Sequence, residues 1–298
     1  MHYSSILWTF VSPNRRQPFV SLLDQGIAIG PFGVRLGVLL LILAAVCAML
    51  TGWALDRRQE SRVVDRVLNL LLVSVICARL VFVLRYHQDF EGLLDVLDIR
   101  DGAFSIGGGL AGGTVYTLWT IIRHPAGRRP FLKALGVGGL ALGLLFAGST
   151  ALLGDVDRSL PDVTLQTLDG EPVRLREFAS EAGQPLVINI WASWCAPCRR
   201  EMPMLERAQD ENPDITFLFV NYQEGADLID GYLRVEGLSL ERLLMDTQGV
   251  MGQTLDFIVL PTTLYYSADG ELVDGHVGEL RRAGLQRSLD RLEAARRE

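Results

Sequence analysis

Trp194-Cys195-Ala196-Pro197-Cys198 decides how the C-terminal half of this 298-residue chain is read. Two cysteines separated by two residues, one of them a proline, close a reversible disulfide with little backbone movement, which points to thiol redox chemistry. The apolar run Leu186-Val187-Ile188-Asn189-Ile190-Trp191 before it reads as a buried strand, and Arg199-Arg200-Glu201-Met202-Pro203-Met204-Leu205 after it begins a helical pattern. Cys195 therefore falls where a strand hands over to a helix N-terminus. Unpaired backbone N–H groups and the helix dipole there favour the thiolate, the nucleophilic form. Half a zinc site is the competing reading, but zinc takes four ligands, and this half of the chain offers no further cysteine and only His276. No metal site is expected.

The chain divides into two unlike halves near residue 154. Residues 1–154 carry 14 Lys plus Arg against 9 acids, and residues 155–298 carry 14 Arg against 26 acids, which together give the net charge of −7. Four apolar segments in the first half, near Val34–Leu55, Val63–Tyr86, Ala103–Ile122 and Phe131–Leu153, are each long enough to cross a hydrocarbon core, which takes roughly 20 helical residues. Residues 1–26 contain Pro13, Arg15, Arg16, Pro18 and Asp24 and do not read as a cleavable signal peptide. Arg57, Arg58, Arg62 and Arg66 flank the first connection, and Arg123, Arg128, Arg129 and Lys133 the third. The Gln88–Asp101 loop holds one Arg among five acids. By the positive-inside rule the basic loops are cytoplasmic, so both termini and the 195/198 pair are expected on the periplasmic side of a bacterial inner membrane. Disulfides persist in that compartment.

In the soluble half, Asp162–Leu175 reads as a hairpin turning at Asp169-Gly170, and Ile215–Val220 as a second buried strand. Asp227–Val235 and Gln248–Leu255 read as helices, Thr262–Tyr266 and Glu271–His276 as strands joined by Asp269-Gly270, and Leu280–Ala295 as a closing amphipathic helix. The expected fold class is an α-helical membrane domain of four helices, residues 1–154, followed by an α/β thioredoxin-like domain, residues 155–298. The connection Gly154–Pro161 spans at most about 28 Å.

Residues 160–295 resemble the membrane-tethered periplasmic thioredoxins of the TlpA/ResA/CcmG group. The matching residues are Leu160-Pro161-Asp162, Asn189 through Cys198, Glu201 with Pro203, and Leu260-Pro261-Thr262-Thr263. The resemblance implies thiol–disulfide exchange through Cys195 and Cys198, with Trp194 and Pro197 shaping the site and no cofactor beyond the redox disulfide. It also implies that Pro261 is a cis proline facing the dithiol, so that Leu260, Pro261 and Thr262 meet the substrate. An ordinary strand-start proline is the alternative. Cytosolic thioredoxins carry a buried Asp where this chain has Asn189. Glu201, one helical turn after Cys198, is then the candidate for proton handling, against the alternative of a surface Glu.

The first half resembles the N-terminal part of prolipoprotein diacylglyceryl transferase, through Ile29–Arg35, Ala78–Leu84 and Phe104–Gly112. Gly107 stands where that family has a histidine, and the later membrane segments are replaced by the soluble domain. The half therefore reads as a repurposed scaffold without transferase activity. Arg35 and Arg79 remain candidates for contact with a membrane lipid headgroup, against snorkelling or an internal carboxylate contact for Arg79. Glycines 108/112, 109/113 and 139/143 have the spacing of close helix packing. Cys47 and Cys77 are either small packing residues or an electron relay.

The sequence thus predicts a membrane-tethered disulfide reductase. A thiol oxidase or isomerase is the alternative, as is a lipid-binding or lipid-modifying membrane protein with an accessory redox domain. The expected partners are periplasmic protein thiols or disulfides (an apocytochrome, a copper chaperone or another thioredoxin-fold protein), a membrane electron donor and membrane lipid, with no nucleic acid.

Overall fold

A computed structural model of the chain describes residues 26–29, 32–59, 62–90, 92, 96, 104–153, 159–255 and 259–297. The expectations for residues 1–25, for most of the 88–101 loop and for most of the 154–161 connection fall outside the described residues, as does the side chain of Arg35.

An antiparallel hairpin, β1 (Gly26–Ile29) and β2 (Phe32–Arg35), leads into α1 (Leu36–Gln59). Three more long helices follow: α2 (Val63–Arg85), α3 (Ile106–Arg123) and α4 (Arg128–Leu153). Among the described residues, three segments are long and apolar enough to cross a membrane, Gly37–Asp56, Val63–Arg85 and Pro125–Ser149. The third expected span, α3, is not one of them. Its 18 residues include five glycines, which dilute its apolar character.

Those glycines have a packing role instead. A Cβ on Gly108 would lie 2.7 Å from Val81 Cβ, one on Gly112 2.5 Å from Cys77 Sγ, and one on Gly113 2.6 Å from Ser74 Oγ. The backbones of α2 and α3 approach closely because side chains are missing there. Gly139 and Gly143 meet nothing within 4 Å, so that pair does not pack as its spacing predicts. Gly138 faces α1 at Ala44 and Ala48 in its place. At the opposite end from Tyr86, a Cβ on Gly127 would strike the Arg66 guanidinium, so the two basic connections lie together. Asp56 caps α2 there, its carboxylate accepting the Val63 N–H at 2.9 Å.

The soluble domain runs β3 (Thr164–Gln166), β4 (Pro172–Arg174), α5 (Leu175–Ala182), β5 (Leu186–Trp191), α6 (Ala196–Glu211), β6 (Thr216–Tyr222), α7 (Ala226–Glu236), β7 (Leu243–Asp246), α8 (Val250–Thr254), β8 (Thr262–Tyr266), β9 (Leu272–Val277) and α9 (Arg282–Arg296). Its seven-stranded sheet has the order β4-β3-β7-β6-β5-β8-β9. β5 lies near the middle, parallel to β6 and antiparallel to β8, and every residue of it is buried. A strand covered on both faces needs such a continuous apolar run. Alternation sends Val187 and Trp191 to one core with Met202 and Leu205 of α6 and Leu285 and Leu289 of α9. Ile188 and Ile190 go to the other core, with Leu165, Leu175 and Met251. The two expected Asp-Gly turns are both present, with Gly170 at φ 85° and Gly270 at φ 77°, a region that glycine enters without strain.

The two halves touch through α9. Ala283 packs with Phe82 and Tyr86 at the end of α2. The Tyr86 hydroxyl donates to Asp290 Oδ2 at 3.0 Å, and Arg282 lies 3.6 Å from both Asp89 and Glu211, the last residue of α6.

Candidate functional site

Cys195 occupies the N-cap of α6, with extended backbone angles, and is disulfide-bonded to Cys198 across a Cα–Cα distance of 5.3 Å. Its sulfur accepts the backbone N–H of Cys198 at 3.2 Å. A sulfur that already receives a helix-terminal N–H is a sulfur whose negative charge is stabilised. Pro197 sits in the first turn, where a missing N–H costs nothing. Cys195 is 5% exposed and Cys198 is fully enclosed. Trp194, 68% exposed, stands beside Cys195 at the rim of an open cleft of about 380 Å³. Ala196, Pro197, Tyr222 and Leu260 complete its lining.

Leu260 lines that cleft, and the Leu260–Pro261 peptide is cis, the geometry expected here. The Pro261 carbonyl accepts the Gly278 N–H at 2.8 Å, tying the segment to the end of β9. Thr262 is placed differently from the expectation: it is buried, and its hydroxyl donates inward to the Val259 carbonyl at 2.5 Å.

Glu201 is not a surface residue. It is 2% exposed, one turn along α6 from Cys198. Oε1 accepts from Asn189 Nδ2 at 2.8 Å and Oε2 from the Leu280 N–H at 2.6 Å. Burial disfavours the carboxylate and pushes its pKa up to about 8, although both donors act in the other direction. Asn189 also donates to Thr263 Oγ1 at 3.0 Å, so its amide nitrogen serves two buried side chains. Tyr265, fully buried on the same side of the sheet, has its pKa raised by desolvation and then by Asp274.

One contributor escapes a sequence reading centred on the cysteines. Glu224 is buried and accepts from the Ser193 N–H at 2.7 Å, from the Ser193 hydroxyl, and from Asn221 Nδ2 at 2.8 Å. It clamps the turn that delivers Trp194 and Cys195. The signal lay in the pairing of Trp191 with Asn221 across parallel β5 and β6, which puts the segments after the two strands side by side.

Arg79, in α2, is turned inward. Its Nε and Nη2 donate to the Val96 carbonyl at 3.2 and 2.9 Å, and its guanidinium lies 5.6 to 5.9 Å from the ring centres of Phe82, Phe90 and Phe104. Its charge thus meets an internal acceptor and three aromatic faces. Cys47 and Cys77 are free thiols, and Cys77 packs against Gly112 of α3. Gly107 opens α3 in clear space, with no side chain that takes a proton.

A disulfide at a helix N-terminus, with a cis proline immediately before β8 of a mixed sheet, defines a thioredoxin-fold exchange domain. Residues 156–272 match the AhpC/TSA family, and residues 25–148 match the prolipoprotein diacylglyceryl transferase family. Thioredoxin-like protein YneN of Bacillus subtilis (strain 168) is 30% identical over 136 residues, 44% of this chain and 76% of that protein. Thiol-disulfide oxidoreductase ResA of Halalkalibacterium halodurans is 30% identical over 156 residues, 49% of this chain and 84% of that one. Thiol:disulfide interchange protein DsbE of Vibrio cholerae is 28% identical over 134 residues, 45% and 71% of the two chains. The chain belongs to the thioredoxin-like thiol-disulfide oxidoreductases, fused to a membrane half of the diacylglyceryl transferase family.

Proposed function

We propose that the chain is a membrane-tethered reductase of periplasmic protein disulfides, built as a membrane half, residues 1–154, carrying a redox domain, residues 155–298. The observation that carries this reading is the Cys195 sulfur at the N-cap of α6 with an enclosed carboxyl, Glu201, one turn along. In the reduced enzyme the Cys195 thiolate attacks one sulfur of a client disulfide, forming a mixed disulfide and releasing the client's other sulfur as a thiolate. Glu201 takes the proton of Cys198, whose thiolate then attacks Cys195 Sγ and expels the second client sulfur. Two electrons pass to the client, and the Cys195–Cys198 disulfide is regenerated. Leu260, next to the cis Pro261, borders the cleft in which the client segment lies.

The reductase direction is supported by the buried acid and by the clustered basic connections, which suit an outward-facing domain that its surroundings would otherwise oxidise. A membrane electron donor recharges it, and the clients are chain segments bearing disulfides, as in an apocytochrome, a copper chaperone or another thioredoxin-fold protein. Equilibration of the full chain in mild detergent against glutathione buffers tests the direction. A potential more negative than about −200 mV is expected, and one near −120 mV makes the protein an oxidase.

A further inference from the structure

Glu201 is held from two sides, and one side leads to a histidine for which the exchange reaction has no use. The Leu280 N–H donates to Glu201 Oε2 at 2.6 Å, and the Glu279 carbonyl, the other end of the same peptide unit, lies 3.2 Å from His276 Nε2. A carbonyl oxygen only accepts, so Nε2 carries a proton there. One amide plane therefore joins imidazole to carboxyl, in the order His276 Nε2–H, Glu279 C=O, Leu280 N–H, Glu201 Oε2. Hydrogen bonds in series polarise one another, by about 10–30% per bond.

His276 is 3% exposed and pairs across the sheet with Thr263, which in turn pairs with Asn189, the second donor to Glu201. The imidazole and both donors thus share one face beneath α6. The charged and titratable groups around this turn are Glu201 and Arg200 of α6, Glu279 bonded to Arg200, Tyr265 of β8, Asp274 of β9, and Arg287 and Arg291 of α9, with Arg291 3.0 Å from Asp274.

We infer that His276 is a positioning residue for Glu201, acting through the Glu279–Leu280 peptide unit. The inference rests on the proton-handling role proposed above. The ring fixes the amide plane so that the Leu280 N–H stays aimed at Oε2, and its donor bond strengthens that N–H toward the carboxylate. Glu201 is thereby kept able to receive the Cys198 proton.

The test uses the full chain in detergent. With the disulfide intact, Cys47 and Cys77 are first blocked by alkylation; the disulfide is then reduced, and dithiobis(nitrobenzoate) is added. The first nitrothiobenzoate released reports attack by Cys195 and the second reports attack by Cys198. The pH profile of the second phase is compared among wild type, His276→Gln, which keeps a donor of similar reach, His276→Asn, too short to reach the carbonyl, and Glu201→Gln. Loss of the second-phase inflection is expected in Glu201→Gln. His276→Asn should raise that inflection by about half a pH unit, with His276→Gln restoring it and the first phase unmoved. Superimposed profiles for wild type and His276→Asn, or equal shifts in the Asn and Gln variants, overturn the inference while leaving Glu201 in its role. An inflection that survives in Glu201→Gln overturns both.

Discussion

Replacing Glu201 with Gln should change how the stability of the oxidised protein depends on pH, and the structure sets the size of the change. The carboxyl has its pKa pushed up to about 8 by burial, from an ordinary value of 4.5. A carboxyl with a folded pKa above its unfolded value takes up a proton on folding, so it brings no penalty below about pH 4.5 and a growing one from there to about pH 8. Each pH unit in that window removes about 1.4 kcal/mol, so roughly 3 kcal/mol is lost between pH 5 and 7.5. Gln at 201 is neutral throughout and escapes that loss. It also presents only one acceptor to two donors, Asn189 Nδ2 and the Leu280 N–H, which costs about 1–2 kcal/mol at every pH. The variant should therefore be less stable than wild type at pH 5 and more stable at pH 7.5. Urea unfolding of the oxidised chain in mild detergent, followed by tryptophan fluorescence, reads the crossing. Stability curves that run parallel from pH 5 to 8 would falsify the argument that burial raises the pKa of Glu201.

Other expectations concern different parts of the molecule. In the reduced protein at mildly acidic pH, alkylation should modify Cys195 well before Cys198, because Cys195 holds the helix N-cap; equal rates at both sulfurs would count against that order. Glu224→Gln should lower the exchange rate by loosening the Ser193 turn, with overall stability reduced by about 1–3 kcal/mol, and an unchanged rate would remove Glu224 from the site. Gly112→Ala should destabilise the membrane half by about 1–3 kcal/mol through collision with Cys77, whereas Gly139→Ala should be tolerated; similar detergent melting of both would contradict the close α2–α3 packing. A membrane-impermeant thiol reagent should label the reduced 195/198 pair in intact spheroplasts, and labelling only after lysis would reverse the orientation.

The sequence made some parts of this molecule legible and left others hidden. The β5 run was readable because a doubly buried strand is apolar at nearly every position, the Cys-x-x-Cys turn because of its spacing, and the two Asp-Gly turns because glycine alone relaxes their backbone. β7 escaped because Leu243–Asp246 is four residues long and has no alternation to display. α5 escaped because its eight residues follow directly on a hairpin strand, with no N-cap side-chain bond to mark its start. α3 was read as a full span because glycine counts as neutral in an apolar run, yet it shortens the apolar stripe while improving the fit to α2. In the site, the cysteines and the cis proline were visible as local words. The enclosure of Glu201 was not, because its donors come from residues 12 and 79 positions away along the chain.

The seating of α9 on the end of α2 bears on who can meet the dithiol. Arg282 ties Asp89 of the membrane half to Glu211, and Glu211 and Cys195 stand at opposite ends of α6, about 24 Å apart at 1.5 Å per residue. The seating contacts thus hold the end of α6 far from the dithiol, so the cysteines lie a helix length away from that point of attachment. A soluble client meets them at its ordinary concentration. A donor confined to the bilayer gains nothing from sharing the membrane unless its own thiols project that far, because tethering raises local concentration only when geometry lets the two sites touch. The contacts of Tyr86, Asp89 and Ala283 therefore divide partners by stature before any chemistry of recognition begins.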